Sequence, residues 1–278
     1  MAPATVQRYE TSLKHTRDFV WETYHKKDVL LDEVSRQFIE DYEFWLKTEK
    51  KCCHNTATKY LKNFKKITRI ALAKGWMKND PFLEIRFSLD KVEPDFLEDS
   101  EIQKLISKEI DIPRLSQVRD IFVFCCFTGL AFSDIHGLRK EHIVEDSNGV
   151  RWIRKGRQKT KIMCNIPLIE IPLKILEKYS TNEYCKKHGV LFPVLCNQKM
   201  NAYLKELADI CGIKKTLTTH VGRHTFATFA LANGVSIESV AKMLGHTNVQ
   251  MTRHYARVLD RTVIREMSQI KMDFHFSM

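Results

Sequence analysis

LGHTNVQMTRHYARV, residues 244–258, sets one tyrosine among cations. Arg253, His254 and Arg257 lie within two residues of Tyr255, and His246 lies nine before it. A phenol in these surroundings is either a stacking surface or a nucleophile aimed at something negatively charged. Leu244-Gly245-His246 reads as a helix end with its glycine cap, which puts His246 on a turn and Tyr255 in the next short helix. Upstream, a helix starting near Thr218 brings His220 and Arg223, three residues apart, onto one face. Further upstream, the polar turn RKGRQKT at 154–160 separates strand candidates at 150–153 and 161–166, a small hairpin or sheet edge.

These residue types match one chemistry. A phosphodiester carries one negative charge on two non-bridging oxygens. Breaking it takes a nucleophile, charge stabilisation and a proton for the departing oxygen. A tyrosine, with an ordinary pKa of ~10, attacks well only as it loses its proton, and a neighbouring histidine can accept that proton. Arginine holds the oxygens through paired, charge-assisted hydrogen bonds, and a lysine serves as general acid. Fixed cations can supply this stabilisation without a metal. Each feature alone is common; their order and spacing set them apart.

Composition points the same way. The formal net charge is +11 over 278 residues, and an excess of this kind in a folded chain fits a polyanionic partner. The length fits two domains, and 44% apolar residues can fill real cores. No apolar run nears the ~20 residues of a membrane span, and no signal peptide is visible, so the chain reads as a soluble intracellular protein. Eight cysteines form no C-x-x-C, which points to reduced thiols and away from zinc knuckles. His220 and His224 form H-x-x-x-H without an adjacent glutamate or third ligand, so no metal is expected.

The first ~90 residues read as helices, with apolar sets at Val6, Tyr9, Leu13, Val20, Tyr24, at Val34, Phe38, Tyr42, Trp45, Leu46, and at Ala57, Tyr60, Leu61, Phe64, Ile67, Ala71. The third helix stops at Gly75, with Pro81 beyond. Opposite its apolar stripe lie Lys59, Lys62, Lys66 and Arg69, and between 47 and 78 the only acid is Glu49. Ordinary solvated faces mix their signs, so this one-sided charge fits contact with phosphates. Residues 85–94 read as a linker. A second helical region opens at Asp99-Ser100-Glu101 with an N-cap candidate and early acids. Residues 115–127 form a strongly apolar helix central to its core, and helices resume near Ile169.

THVGRHTFAT (219–228) followed by LGHTNVQMTRHYARV resembles the tyrosine recombinase, or phage integrase, family. Its pattern is H-x-x-R, then L-G-H about two dozen residues on, then the tyrosine nine residues later. Here Arg223 to His246 is 23 residues and His246 to Tyr255 is nine. TGLAFSDIHGLRKEHI (128–143) is similar to the family's T-G-(L/M)-R-x-(S/G)-(E/D)-(L/I) box, and KTKIMCNIPL (159–168) to its hairpin lysine and following strand. The resemblance covers nearly the whole chain. It implies a mainly α fold with a small β-sheet: a helical, SAM-like core-binding domain over 1–92 and an α/β catalytic domain with a tail helix over 93–278. The two would form a C-shaped clamp on double-stranded DNA.

The resemblance also implies roles. Tyr255 attacks the phosphate to form a 3′-phosphotyrosyl link. Arg223 holds a non-bridging oxygen. His220 and His246 assist proton transfer and phosphate contact. Lys159 protonates the 5′ oxygen as it leaves as a hydroxyl, with Lys155 and Lys161 as competitors, and Asp134 supports the site. Lys59, Lys62, Lys66 and Arg69 bind DNA. Cleavage and rejoining would need neither ATP nor metal, and no cofactor. The working unit would be a homo-tetramer on paired sites in the bacterial cytoplasm, associated with the nucleoid. It would integrate or excise a mobile element, with accessory DNA-bending proteins as further partners. The tail at 263–278 (Ile264, Met267, Ile270) would pack into a neighbouring subunit or onto its own domain.

One position departs from the pattern. Ala131 stands where the family has its first catalytic arginine, and alanine binds no oxyanion. Either the chain is an inactive, DNA-binding accessory protein, or another arginine fills the space. Arg157, two residues before Lys159, is the candidate, since alternate residues of an extended hairpin share a face. The T-G-L-A-F-S-D form resembles integrases of Bacteroides-group mobile elements, which lack this arginine from the box and imply an active enzyme.

Overall fold

The computed structural model describes residues 3–255 and 267–268, the side chains of residues 3 and 4 excepted. The expected tail helix therefore lies, but for Met267 and Ser268, outside the described residues, as does Arg257. The chain divides into two compact units, Met1–Glu93 and Pro94–Met278.

The first unit is built on α1 (Pro3–Tyr24), α2 (Arg36–Thr48) and α3 (His54–Ala73). Ser35 opens α2 by accepting the Phe38 N–H. The helical spacing of Phe38, Tyr42, Trp45 and Leu46 buries all four against α1. Phe19 lies at the centre, its ring against those of Tyr24, Phe38, Tyr42 and Trp45. Three expected core residues face outward instead: Val6 and Leu13 of α1 and Ile67 of α3 are exposed. On α3 the inner stripe runs Ala57, Leu61, Phe64, Thr68, Ala71, so Ile67 is one residue off it and Thr68 is buried in its place. Gly75, with φ +71°, follows the helix. Residues 85–98 carry neither helix nor strand. The first part of this stretch is nevertheless pinned: the Asn55 amide donates to the Asp90 carbonyl (3.0 Å) and accepts the Asp90 N–H (2.8 Å).

The second unit begins with α4 (Asp99–Ser107), whose N-cap is Glu98, just outside the Asp99-Ser100-Glu101 stretch that the sequence suggests; Glu101 reaches back to the Glu98 N–H in a capping box. Next, α5 (Pro113–Thr128) is buried on nearly every side, which is why it shows no amphipathic stripe. It ends at Gly129, in a left-handed conformation (φ +67°). A short helix, α6 (Phe132–His136), follows. Then come β1 (Ile143–Glu145), β2 (Arg151–Gly156) and β3 (Met163–Pro167), an antiparallel sheet in that order. Ile153 pairs with both Ile143 and Ile166, and Ile153, Cys164 and Ile166 point into the core. The expected strand bounds are off by one to three residues: β2 runs on to Gly156, and Lys161, at φ +62°, belongs to the loop. The three-residue β1 was not foreseen, being too short for a periodic signal.

Helices α7 (Glu170–Tyr179), α8 (Glu183–His188), α9 (Asn197–Ile210), α10 (Thr219–Ala232), α11 (Ile237–Leu244) and α12 (Gln250–Arg253) complete the described fold. The pair α5–α10 forms its spine. Gly222 permits the close approach, because a Cβ there would lie 3.2 Å from Phe122 and 3.3 Å from Cys125. Buried Asp120 ties α5 to α7 by accepting from Lys178 (2.6 Å) and Tyr179 (3.0 Å).

Candidate active site

The site gathers where α10, the end of α11, α12 and the β2–β3 loop meet. Arg223, on α10, is 3% exposed. It donates to the Gly129 carbonyl (2.7 Å), the Leu244 carbonyl (2.6 Å) and His246 Nε2 (3.0 Å). Both carbonyls come from helix ends terminated by left-handed glycines, Gly129 and Gly245. The guanidinium is therefore anchored by the backbone rather than by a carboxylate. Burial, and then the charge of Arg157, lower its pKa to about 10, with Tyr255 pulling the other way. It remains charged at neutral pH.

Gly245 closes α11 and turns the chain so that His246 faces Arg223. A Cβ at Gly245 would meet Arg157 Cδ and Cys164 Sγ, each at 2.7 Å. The Arg157 stem thus lies against this turn, and Thr160 Oγ1 donates to the Gly245 carbonyl at 3.4 Å. Arg157 Nε faces Asp134 Oδ2 at 3.4 Å, and the Gln158 N–H donates to Asp134 Oδ1 at 2.9 Å. Asp134 is 2% exposed and comes from α6, whose N-cap is Ala131. Arg157 faces the one buried carboxylate while Arg223 is bound to carbonyls and an imidazole, leaving local positive charge uncompensated. Such a site favours an anion.

Tyr255 is buried beside Phe226, Ala227, Ala230, Val240 and Leu244. Its ring lies nearly parallel to that of His246, 6.1 Å away, and tilted against His224 at 5.1 Å. His246 Nδ1 is 2.9 Å from Thr252 Oγ1. Burial and the charges of Arg223 and Arg157 lower the His246 pKa to about 4. His220 is open to solvent on one side and T-shaped against His224 at 4.3 Å; desolvation of the ring, then Arg223, Arg157 and Lys159, hold its pKa below the ordinary value.

The phage integrase family matches residues 95–262, and the phage integrase SAM-like domain matches residues 1–92. The chain belongs to the phage integrase family. It is similar to a tyrosine recombinase of Pseudothermotoga lettingae, 29% identical over 265 residues that span 92% of this chain and 88% of that protein. It is also similar to the tyrosine recombinase XerD of Oceanobacillus iheyensis, 26% identical over 266 residues, 91% and 87% of the two chains. Its fold matches that of the Tn1549 transposon integrase in complex with circular intermediate DNA, with a TM-score of 0.75 at 19% identity, covering 96% of this chain and 94% of that one. It likewise matches a lambda integrase dimer bound to a COC′ core site, with a TM-score of 0.74 at 18% identity, covering 94% and 91%.

In this phage integrase family member, Tyr255, Arg223, His246, Arg157 and Asp134 are brought together, with His220 at the rim. Lys159 lies on the exposed loop between β2 and β3. Lys155 is committed elsewhere, donating to the Gly137 carbonyl at 2.8 Å and lying 3.4 Å from His142 Nε2. Two local expectations need correction. Tyr255 follows α12 in a turn rather than lying within it. Arg157 and Lys159 do not share a strand face, because β2 ends at Gly156; Arg157 is positioned instead by its N–H bond to the Ile162 carbonyl (2.9 Å) and by its stem on Gly245. Sequence reading missed Thr252, Gln158 and Thr160, whose types carry no signal of their own. Among the described residues no group of three His, Cys, Asp or Glu could hold a metal ion, and no helix is long and apolar enough to cross a membrane.

The lowered histidine pKa values make stability depend on pH. With His246 at about 4 when folded and 6.5 ordinarily, the unfolded chain binds more protons between these values. Stability is therefore full above about 6.5 and is lost as pH falls through about 4, with His220 and His142 acting in the same direction. Thermal unfolding midpoints should fall across this window. In His246→Gln the fall should be shallower; an equally steep curve would show that His246 is not a source of it.

Proposed function

We propose that Tyr255 is the nucleophile with which this tyrosine recombinase breaks and rejoins DNA at specific sites. The observation that carries the reading is the buried, backbone-anchored Arg223 bound to His246, whose ring lies along that of Tyr255, in a site with two arginines and one carboxylate. A scissile phosphate supplies the missing negative charge. Arg223 uses three N–H groups on protein partners among the described residues, and the guanidinium has five. The two left over, together with the one that rests on His246 Nε2 in the free protein, serve a non-bridging oxygen. Arg157 takes the second oxygen, in the role for which Ala131 has no side chain. Lys159, on its exposed loop, protonates the departing 5′ oxygen. The 3′-phosphotyrosyl link conserves the energy of the broken bond, so rejoining needs neither ATP nor a metal.

The working unit is a tetramer on two DNA sites, integrating or excising a mobile element, with accessory DNA-bending proteins as additional partners. The decisive test is covalent trapping on nicked duplex DNA, with Tyr255→Phe as control.

The exposed face of α3 supports a second part of this reading. Lys59, Lys62, Lys66 and Arg69 all stand free of its buried stripe. Contact of these four cations with phosphates predicts a salt signature. Replacing all four by glutamine should weaken duplex binding and make the slope of log affinity against log salt less negative by about 3.6, four contacts at roughly 0.9 each. Fluorescence anisotropy titrations across a salt series measure this directly. An unchanged slope would remove α3 from the interface.

A further inference from the structure

We infer that Thr252 is a positioning residue for the recombination chemistry: it fixes the tautomer of His246 and ties that histidine to the nucleophile. The inference deepens the assignment of Tyr255 and rests on it.

The argument starts from donors and acceptors. Arg223 can only donate. Its Nη2 lies 3.0 Å from His246 Nε2, so Nε2 is the acceptor and carries a lone pair. A neutral imidazole then has its proton on Nδ1. Nδ1 lies 2.9 Å from Thr252 Oγ1, which accepts that proton's hydrogen bond. Thr252 is fully buried, so no water competes for it. Its backbone carbonyl accepts the Tyr255 N–H at 2.9 Å. One residue thus orients the imidazole with its side chain and anchors the nucleophile's backbone with its carbonyl. The four-residue α12 places it to do both.

The consequence for chemistry follows. When a phosphate draws the Arg223 N–H onto its own oxygen, the Nε2 lone pair is released. As Tyr255 Oη forms its bond to phosphorus, the phenolic proton passes to Nε2. The P–O5′ bond breaks, and the 5′ oxygen takes a proton from Lys159. His246 is then an imidazolium, its Nδ1–H still held by Thr252 and its Nε2–H free to face the phosphate. On rejoining, the same proton returns to the phenol. Without the Thr252 hydroxyl, the opposite tautomer is no longer disfavoured, and that form presents an N–H where a base is required. The logic is that of any histidine whose second nitrogen is oriented by a fixed partner.

Two variants and one spectrum test this. In the free protein labelled with ¹⁵N-histidine, long-range ¹H–¹⁵N correlation identifies which nitrogen of His246 carries the proton. The expected result is Nδ1–H in the wild type and a shift toward Nε2–H in Thr252→Val, which keeps the shape and removes the hydroxyl. In single-turnover cleavage of nicked duplex DNA, Thr252→Val should be slower by roughly 10–100-fold at unchanged DNA affinity, the usual effect of losing a partner that orients a functional side chain. Thr252→Ser should restore most of the rate. An Nε2–H tautomer in the wild type overturns the inference, whatever the activity. So does wild-type cleavage by Thr252→Val, or a serine variant as slow as the valine one, which would mark a packing role. A wild type that forms no covalent adduct, with the Nδ1–H tautomer intact, would instead sink the nucleophile assignment and the relay built on it.

Discussion

Tyr255→Phe should abolish the covalent protein–DNA adduct while leaving DNA binding and folding intact. The substitution removes one oxygen and nothing else. The ring keeps its place beside Phe226, Val240 and Leu244 and its near-parallel approach to His246. The Tyr255 N–H to Thr252 carbonyl bond is a backbone contact and survives. Removing a nucleophile from a site whose other parts act as a unit costs roughly 10⁴-fold or more in rate, which on a denaturing gel is disappearance. The substrate should be a duplex nicked near the cleavage point, selected from fragments that the protein binds, so that the cut strand diffuses away and the adduct accumulates. Chelator in the buffer and omission of ATP test in the same lanes whether cations of the protein suffice. An adduct persisting in Tyr255→Phe would assign the chemistry to another side chain. Specific binding with no adduct even in the wild type would favour an accessory, binding-only protein.

Much of this site was legible because its residues are rare in such an order. The spacing from Arg223 to His246 to Tyr255 survives in any sequence reading, since each interval is a property of α10, the Gly245 turn and α12 together. The basic face of α3 was visible for a similar reason: charge of one sign opposite an apolar stripe has few structural explanations. What stayed hidden depends on tertiary geometry. A threonine at 252 is unremarkable until its hydroxyl is seen against His246. Ile67 reads as core because it fits the helical period approximately, and only the packed α3 shows that Thr68 takes the inner position. The strand β1 exists because β2 gives it hydrogen bonds and Ile153 gives it a neighbour, not because three residues prefer to be extended. Arg157 was singled out by a strand-face argument that the loop does not obey; its place comes from Gly245, 88 residues away in sequence.

That placement makes the second large effect. Arg157→Ala should slow cleavage by about 10²–10³-fold, the 3–4 kcal/mol expected on losing one preorganised donor to a developing oxyanion, while DNA affinity should change little. Arg157→Lys should fall between the two, since it keeps the charge but loses the planar fork. Folding should weaken modestly, because Asp134 retains the Gln158 N–H but loses its cation. A remote control is available in Arg151, exposed on β2 and paired with Glu145; Arg151→Ala should cleave normally. The sharpest arm is relocation. Ala131 caps the short helix that carries Asp134 three residues on, and Asp134 is what Arg157 faces. A long side chain at 131 starts one helical turn from the same carboxylate. Ala131→Arg, added to Arg157→Ala, should therefore recover part of the lost rate, while added to the wild type it should crowd two arginines around Asp134 and gain nothing. If Arg157→Ala cleaves as well as Arg151→Ala, the second oxygen of the phosphate is held by something else, and the uncompensated charge beside Arg223 serves binding rather than the transition state.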